Sequence, residues 1–146
     1  MIRATPFLWL QHPIDDAAYF YAAAFDGEVL SEEYGPVMQS ATVRVAGQTI
    51  HLFNAGEFRE ITEAFSMMVT CSSQAELDRI WDALNRGGTP MQCGWITDRF
   101  GVTWQVIPDK LDEWLADPAR GAAVTEVMMQ MVKLEFGPLE AALRGD

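Results

Sequence analysis

A repeated order of patterns along the chain constrains its fold more than any other feature. Phe7 to Gln11 is a short aromatic-rich apolar run that reads as a buried strand. Asp15-Asp16 then open an Ala- and Tyr/Phe-rich segment running to Phe25. Acidic residues suit a helix N-terminus, and Gly27 suits the stop. Val29 to Tyr34 and the β-branched, alternating Gln39 to Val45 read as strands. Ala46-Gly47-Gln48 turns the chain back into Thr49 to Asn54 as a hairpin. After a polar stretch, Ala55 to Glu63, the order restarts. Phe65 to Cys71 is a second apolar strand, and Ser73 with Glu76 three residues on forms a capping-box-like start. Leu77, Ile80, Trp81 and Leu84 line one helical face, and Gly87-Gly88 end that helix. Gln92 to Thr97 and Val102 to Ile107 form a second hairpin around Asp98-Arg99-Phe100-Gly101, closed by Pro108. Asp109 to Asp146 reads as helical, with a break at Phe136-Gly137-Pro138.

A shift of 60 superimposes Phe7–Gln11 on Met67–Cys71, Phe20-Tyr21 on Ile80-Trp81 and Gly27 on Gly87, and a shift of 54 superimposes the hairpins. Identities are few (Gly27/Gly87, Gly47/Gly101, Thr49/Thr103), so the repeated order of elements carries the argument. A period this long points to a duplicated supersecondary module and not to a small solenoid repeat. The expected class is α+β: two βαβββ modules, about 4–56 and 63–108, in a single domain 1–146 with a helical extension over 109–146.

Composition narrows the function classes. At 146 residues the chain can bury a core without disulfides or metal. Ten basic and twenty-one acidic residues give a net charge of −11, which disfavours phosphate backbones and anionic membranes as partners. Five Trp, eight Phe and eight Met argue against disorder. Cys71 and Cys93 form no CxxC pair, so a reducing compartment is expected. The Met1–Pro6 stretch lacks a signal peptide's apolar h-region, and no apolar run nears the ~20 residues of a membrane span. A cytoplasmic protein is expected.

A duplicated βαβββ module resembles the build of the vicinal oxygen chelate superfamily, which includes glyoxalase I, the extradiol dioxygenases and the bleomycin-resistance proteins. Pro6-Phe7-Leu8-Trp9 with Ala17-Ala18-Tyr19-Phe20-Tyr21 is similar to the opening of PhnB-like proteins. The stretch from Gln92-Cys93-Gly94-Trp95 through Asp98-Arg99-Phe100-Gly101 to Val106-Ile107-Pro108 resembles that family's most specific signature. The Met-rich tail through Lys133-Leu134 and the Leu139-Glu140-Ala141-Ala142 ending resemble it too. The family is often labelled 3-demethylubiquinone-9 3-methyltransferase. No GxGxG follows a strand in this sequence, so methyl transfer by a Gly-rich S-adenosylmethionine site is the weaker expectation.

The resemblance implies a cup whose metal-ligand positions correspond to Pro6, His51, Ser66 and Gln105. Proline offers no side-chain donor, serine and glutamine are weak neutral ligands, and Zn or Fe(II) wants His with carboxylate or thiolate. No cofactor and no tightly held metal is therefore expected. The pocket residues implied are His51, Ser66, Met68, Cys93, Trp95 and Gln105. His51 is the one candidate acid/base, histidine being the side chain that ordinarily titrates near neutral pH; its alternative is a hydrogen-bonded structural residue. Gln105, if buried, must satisfy its amide on a ligand or on neighbouring backbone. Cys93 is a candidate thiol with no adjacent Lys or His, and Cys71 reads as core. Asp15 and Asp16 diverge by about 100° on a helix and suit its start better than paired acid/base work. Asp98 and Gly101 read as turn chemistry. The resemblance also implies a homodimer with a small-molecule ligand, and a metal-assisted or His51-dependent enzyme is the alternative to a binding protein.

Overall fold

The computed structural model describes residues 1–146 as two compact units, Met1–Phe65 and Ser66–Asp146. The first unit runs β1 (Phe7–Trp9), α1 (Ile14–Ala24), β2 (Glu28–Tyr34), β3 (Gln39–Val45) and β4 (Gln48–Asn54). Its sheet has the order β1-β4-β3-β2, with β1 parallel to β4 and the other pairs antiparallel. The second unit runs β5 (Ser66–Cys71), α2 (Gln74–Leu84), β6 (Thr89–Pro90), β7 (Trp95–Thr97) and β8 (Thr103–Pro108). Helices α3 (Leu111–Leu115), α4 (Gly121–Met128) and α5 (Phe136–Arg144) follow. The second sheet, β5-β8-β7-β6, repeats the first, with β5 parallel to β8.

In each unit one sheet face is sealed by the helix. Leu8, Ala41, Val43, Ile50 and Leu52 are buried on the face of the first sheet that α1 covers with Ile14, Ala17, Ala18, Tyr21 and Ala24. Val69, Ile96, Trp104 and Val106 do the same beneath Leu77, Ile80, Trp81 and Leu84 of α2. Each such large side chain contributes roughly 1.5–3 kcal/mol on burial. Alternation then turns every second residue to the opposite, open face, and those residues form the candidate site.

The helices start differently. Ser73 Oγ accepts the Glu76 N–H at 3.2 Å while Glu76 Oε1 accepts the Ser72 N–H at 3.2 Å, a reciprocal cap close to the one expected. Helix α1 has no such side-chain cap; Gln39 Oε1 of β3 accepts the orphan N–H of Ile14 at 2.9 Å, and Asp15 and Asp16 occupy the first turn.

Several elements depart from expectation. Gly27 is not a left-handed helix stop. Asp26 takes that role at φ 50°, and Gly27 lets β3 pass so closely that a Cβ would lie 1.8 Å from the Arg44 carbonyl oxygen. The second hairpin begins at Trp95, not Gln92, because Cys93 and Gly94 sit at φ 60° and 84° and cannot extend a strand. Their N–H groups bond the Met131 and Val132 carbonyls, docking the tail on this turn. The two-residue β6 carries too little periodicity to be foreseen. Finally, Phe136-Gly137-Pro138 is no break: it is the first turn of α5, where proline loses no intrahelical bond. The extension breaks instead twice, over 116–120 between α3 and α4 and over 129–135 between α4 and α5.

Candidate functional site

The open face of the first sheet carries Phe7 and Trp9 from β1, Thr49, His51 and Phe53 from β4, and Thr42 from β3, in register with His51. The ring of Phe7 stacks on His51 at 4.8 Å with a 12° interplanar angle. Phe53 sits 5.1 Å from Phe7 and edge-on to Trp9 at 5.0 Å. Trp9 Nε1 donates to the Gly56 carbonyl at 3.0 Å, tying the edge strand to the loop after β4. His51 is held from three sides: its backbone N–H donates to the Pro6 carbonyl at 2.9 Å, its ring lies on Phe7, and its Nδ1 is 3.1 Å from Thr42 Oγ1. When Thr42 donates, the imidazole proton is on Nε2. A cavity of about 360 Å³ opens here, lined by Arg3, Thr5, Phe7, Thr42, Thr49 and His51. A second, of about 280 Å³, lies along β1 between Phe7, Trp9, Ile61 and Phe65.

The open face of the second sheet brings together four of the expected residues. Trp95 of β7, Gln105 of β8 and Met68 of β5 stand in one row, and Gln105 Nε2 donates to Ser66 Oγ at 3.0 Å. The glutamine amide thus meets a side-chain hydroxyl where a ligand or backbone group was the expectation. Met68 is 57% exposed. Cys93 is half-buried in the preceding turn, its backbone bonded to Met131. Cys71 is core: burial, then the Glu76 carboxylate, pushes its thiol up to about 11. Asp98 is more than a turn residue. It is buried, Oδ1 accepts from the Phe100 and Val102 N–H groups at 2.8 and 3.2 Å, and Oδ2 accepts from Trp104 Nε1 at 2.9 Å.

The paired registers correct the correspondence between the modules. Phe7 stands beside His51, and Met68 beside Gln105. Phe7 and Met68 are 56% and 57% exposed, while Leu8 with Val69 and Leu10 with Cys71 are buried. The first strands therefore superimpose with a shift of 61, although the helices keep 60. Thr5, not Pro6, is the counterpart of Ser66. Pro6 contributes its carbonyl to His51, and Thr5 lines the cavity. Sequence reasoning also missed Arg3, which sits before any periodic segment; alternation back from Phe7 through Thr5 is the signal that could have found it.

Two groups implied by resemblance can be tested against these residues. No three His, Cys, Asp or Glu side chains converge in a way that could hold a metal ion. Thr5, Ser66 and Gln105 offer only neutral oxygens, and the last two are bonded to each other. This donor set does not fit a Zn or Fe(II) centre. A Gly-rich S-adenosylmethionine turn does not fit either. Leu10-Gln11-His12-Pro13 joins β1 to α1 and Ser72-Ser73 joins β5 to α2, with no glycine in either connection.

A four-stranded 1-4-3-2 sheet with a helix on one face, built twice, is the glyoxalase/bleomycin resistance/dioxygenase fold. Solved structures agree. A PhnB protein from Bacillus cereus is 24% identical over 73% of this chain and 99% of its own, with a TM-score of 0.66. A Pseudomonas aeruginosa protein is 21% identical over 74% and 98%, TM-score 0.61, and the fosfomycin resistance protein FosX from Mesorhizobium loti is 13% identical over 80% and 99%, TM-score 0.61. The chain belongs to the family described as 3-demethylubiquinone-9 3-methyltransferase, whose model matches residues 3–107. Helices α3 to α5 lie beyond that match. No curated protein matches the chain. No helix is long and apolar enough to cross a membrane.

Proposed function

We propose that this protein binds a small organic molecule on the open sheet face, without a resident metal. One observation carries the reading: the cavity of about 360 Å³ lined by the stacked Phe7 and His51 together with Arg3, Thr5, Thr42 and Thr49. Its volume falls in the range of small-molecule sites, and its polar groups can fix the orientation of a ligand whose flat part lies on Phe7. His51 lines this cavity, and Ser66, Met68, Cys93, Trp95 and Gln105 belong to the proposal as the second unit's own candidate site. A homodimer is part of it, on the resemblance to a superfamily whose sites are completed across paired modules; light scattering on the purified chain tests that assembly. Incubation with Fe(II), Ni, Mn and Zn followed by desalting and elemental mass spectrometry tests the metal. The expected result is no stoichiometric metal, with small molecules raising the melting temperature in metal-free protein. Near-stoichiometric retained metal would overturn the reading.

A second reading makes His51 an acid/base in an enzyme of the superfamily. The observation favouring it is the Thr42–His51 contact: in the tautomer whose Nδ1–H donates to Thr42 Oγ1, Nε2 is left free to act as a general base. Turnover abolished in His51→Ala, with the melting temperature preserved, would support it. The methyl transfer named in the family description predicts S-adenosylmethionine affinity; a titration showing none sinks it.

A further inference from the structure

We infer that the ligand of the first unit's open face presents a small oxyanion, a carboxylate or a phosphate, beside a flat apolar group. This rests on the reading that the face binds a small molecule and adds which chemistry it selects. The cavity wall supplies hydrogen-bond donors and no carboxylate: the Arg3 guanidinium, the hydroxyls of Thr5 and Thr49, and the imidazole of His51, which Thr42 supports from behind. Arg3 is one of only ten Lys and Arg residues in a chain of net charge −11, yet it meets only the Met1 sulfur, at 4.0 Å. Arg44 and Lys133, by contrast, are paired with acids. A guanidinium presents five donors in a planar fork that matches carboxylate and phosphate oxygens. Beside it Thr42 can donate to Nδ1, which places an Nε2–H donor on the histidine.

Phe7 completes the argument. It is 56% exposed, and its ring lies nearly parallel to the His51 imidazole. A flat ligand lying on Phe7 would gain offset stacking of roughly 0.5–1.5 kcal/mol while its acidic group reached Arg3 and the hydroxyls. The cavity between α3 and α5 lacks this asymmetry: Lys110 and Arg144 line it together with Asp109 and Glu140, so its charges balance. Because the whole protein is strongly acidic, anion recognition here must work by direct contact. Long-range attraction does not help it, and screening limits the repulsion beyond about 8 Å at physiological salt.

The probes are benzoate, phenyl phosphate and the neutral isostere benzamide, titrated into the full chain at fixed ionic strength. Resonances of His51 and of the Arg3 backbone report binding in heteronuclear NMR. Benzoate or phenyl phosphate should move both sets, and the two arms separate carboxylate from phosphate as the preferred oxyanion. Benzamide should bind at least about tenfold more weakly, and Arg3→Gln should cost the better anion about tenfold, the size of one charge-assisted bond. Arg3 is exposed and precedes β1, so this variant should fold, which its unchanged melting temperature would verify. Benzamide binding as tightly as benzoate, with Arg3→Gln silent, would overturn the oxyanion inference and leave the small-molecule reading standing. If no probe moved the His51 resonances at millimolar concentration, both would fall.

Discussion

Replacing Asp98 by alanine removes the acceptor around which the β7–β8 turn is built. The carboxylate is 4% exposed and takes three hydrogen bonds, two from backbone N–H groups and one from the indole of Trp104, itself 1% exposed. A hydrogen bond to a charged group contributes about 1.5–3 kcal/mol, and a buried donor left without a partner costs about 1–3 kcal/mol. The three bonds share one carboxylate and will not add fully, so Asp98→Ala should lose about 4 kcal/mol. Asp98→Asn keeps one oxygen for the backbone pair and turns an amide N–H₂ toward the indole. It should lose about 2 kcal/mol. Urea unfolding followed by tryptophan fluorescence reads both variants, with a shifted midpoint and an unchanged slope as the mark of a pure stability effect. An alanine variant within about 1 kcal/mol of the parent, or an asparagine variant as damaged as the alanine, would refute the view that the buried carboxylate organises this turn.

Other consequences follow from single contacts. The hydrogen bond from Lys133 Nζ, and next that from Gln74, hold the Asp78 carboxyl below the usual carboxylate range. Its stabilisation is therefore complete above the ordinary carboxylate pKa and is lost as pH falls through the lowered one. The stability gap between the parent and Asp78→Asn, small because the pair is partly exposed, should close on acidification below about pH 4, as equilibrium unfolding across pH would show. Gly27→Ala drives a Cβ into the Arg44 carbonyl and should cost about 3 kcal/mol, whereas Gly47→Ala meets nothing within 4 Å and should cost only the strain of φ 82°, about 1 kcal/mol; equal losses in thermal unfolding would contradict this. Cys71, 1% exposed with its thiol pushed up to about 11, should react with a thiol reagent only as fast as the fold opens, so rapid labelling of both cysteines in native protein would count against the core assignment.

Much of the architecture was legible because its signals are local. The α2 face of Leu77, Ile80, Trp81 and Leu84 declares itself by spacing, Ser73 and Glu76 mark its start, and strand alternation puts His51 and Gln105 on the faces opposite Ile50 and Trp104. Where the sequence misled, the deciding interaction was distant. Gly27 looks like a helix stop, but its neighbour across the sheet, Arg44, is what requires a glycine. Phe136-Gly137-Pro138 looks like a break, yet Gln74 Oε1 accepts the Phe136 N–H at 2.7 Å and sets the start of α5 there.

By itself, then, the sequence determined the duplicated order of elements, the buried faces and the family, because periodicity and turn chemistry are written within a few residues. Only tertiary structure decided the site. Helix α1 begins seven residues after Phe7, while α2 begins six after Met68. That single residue in the connection moves the first strand's register by one, and in a strand a shift of one exchanges the two faces. It takes Pro6 off the open face and brings Thr5 and Arg3 to His51, a placement set by the pairing of β1 with β4 across more than forty residues of chain.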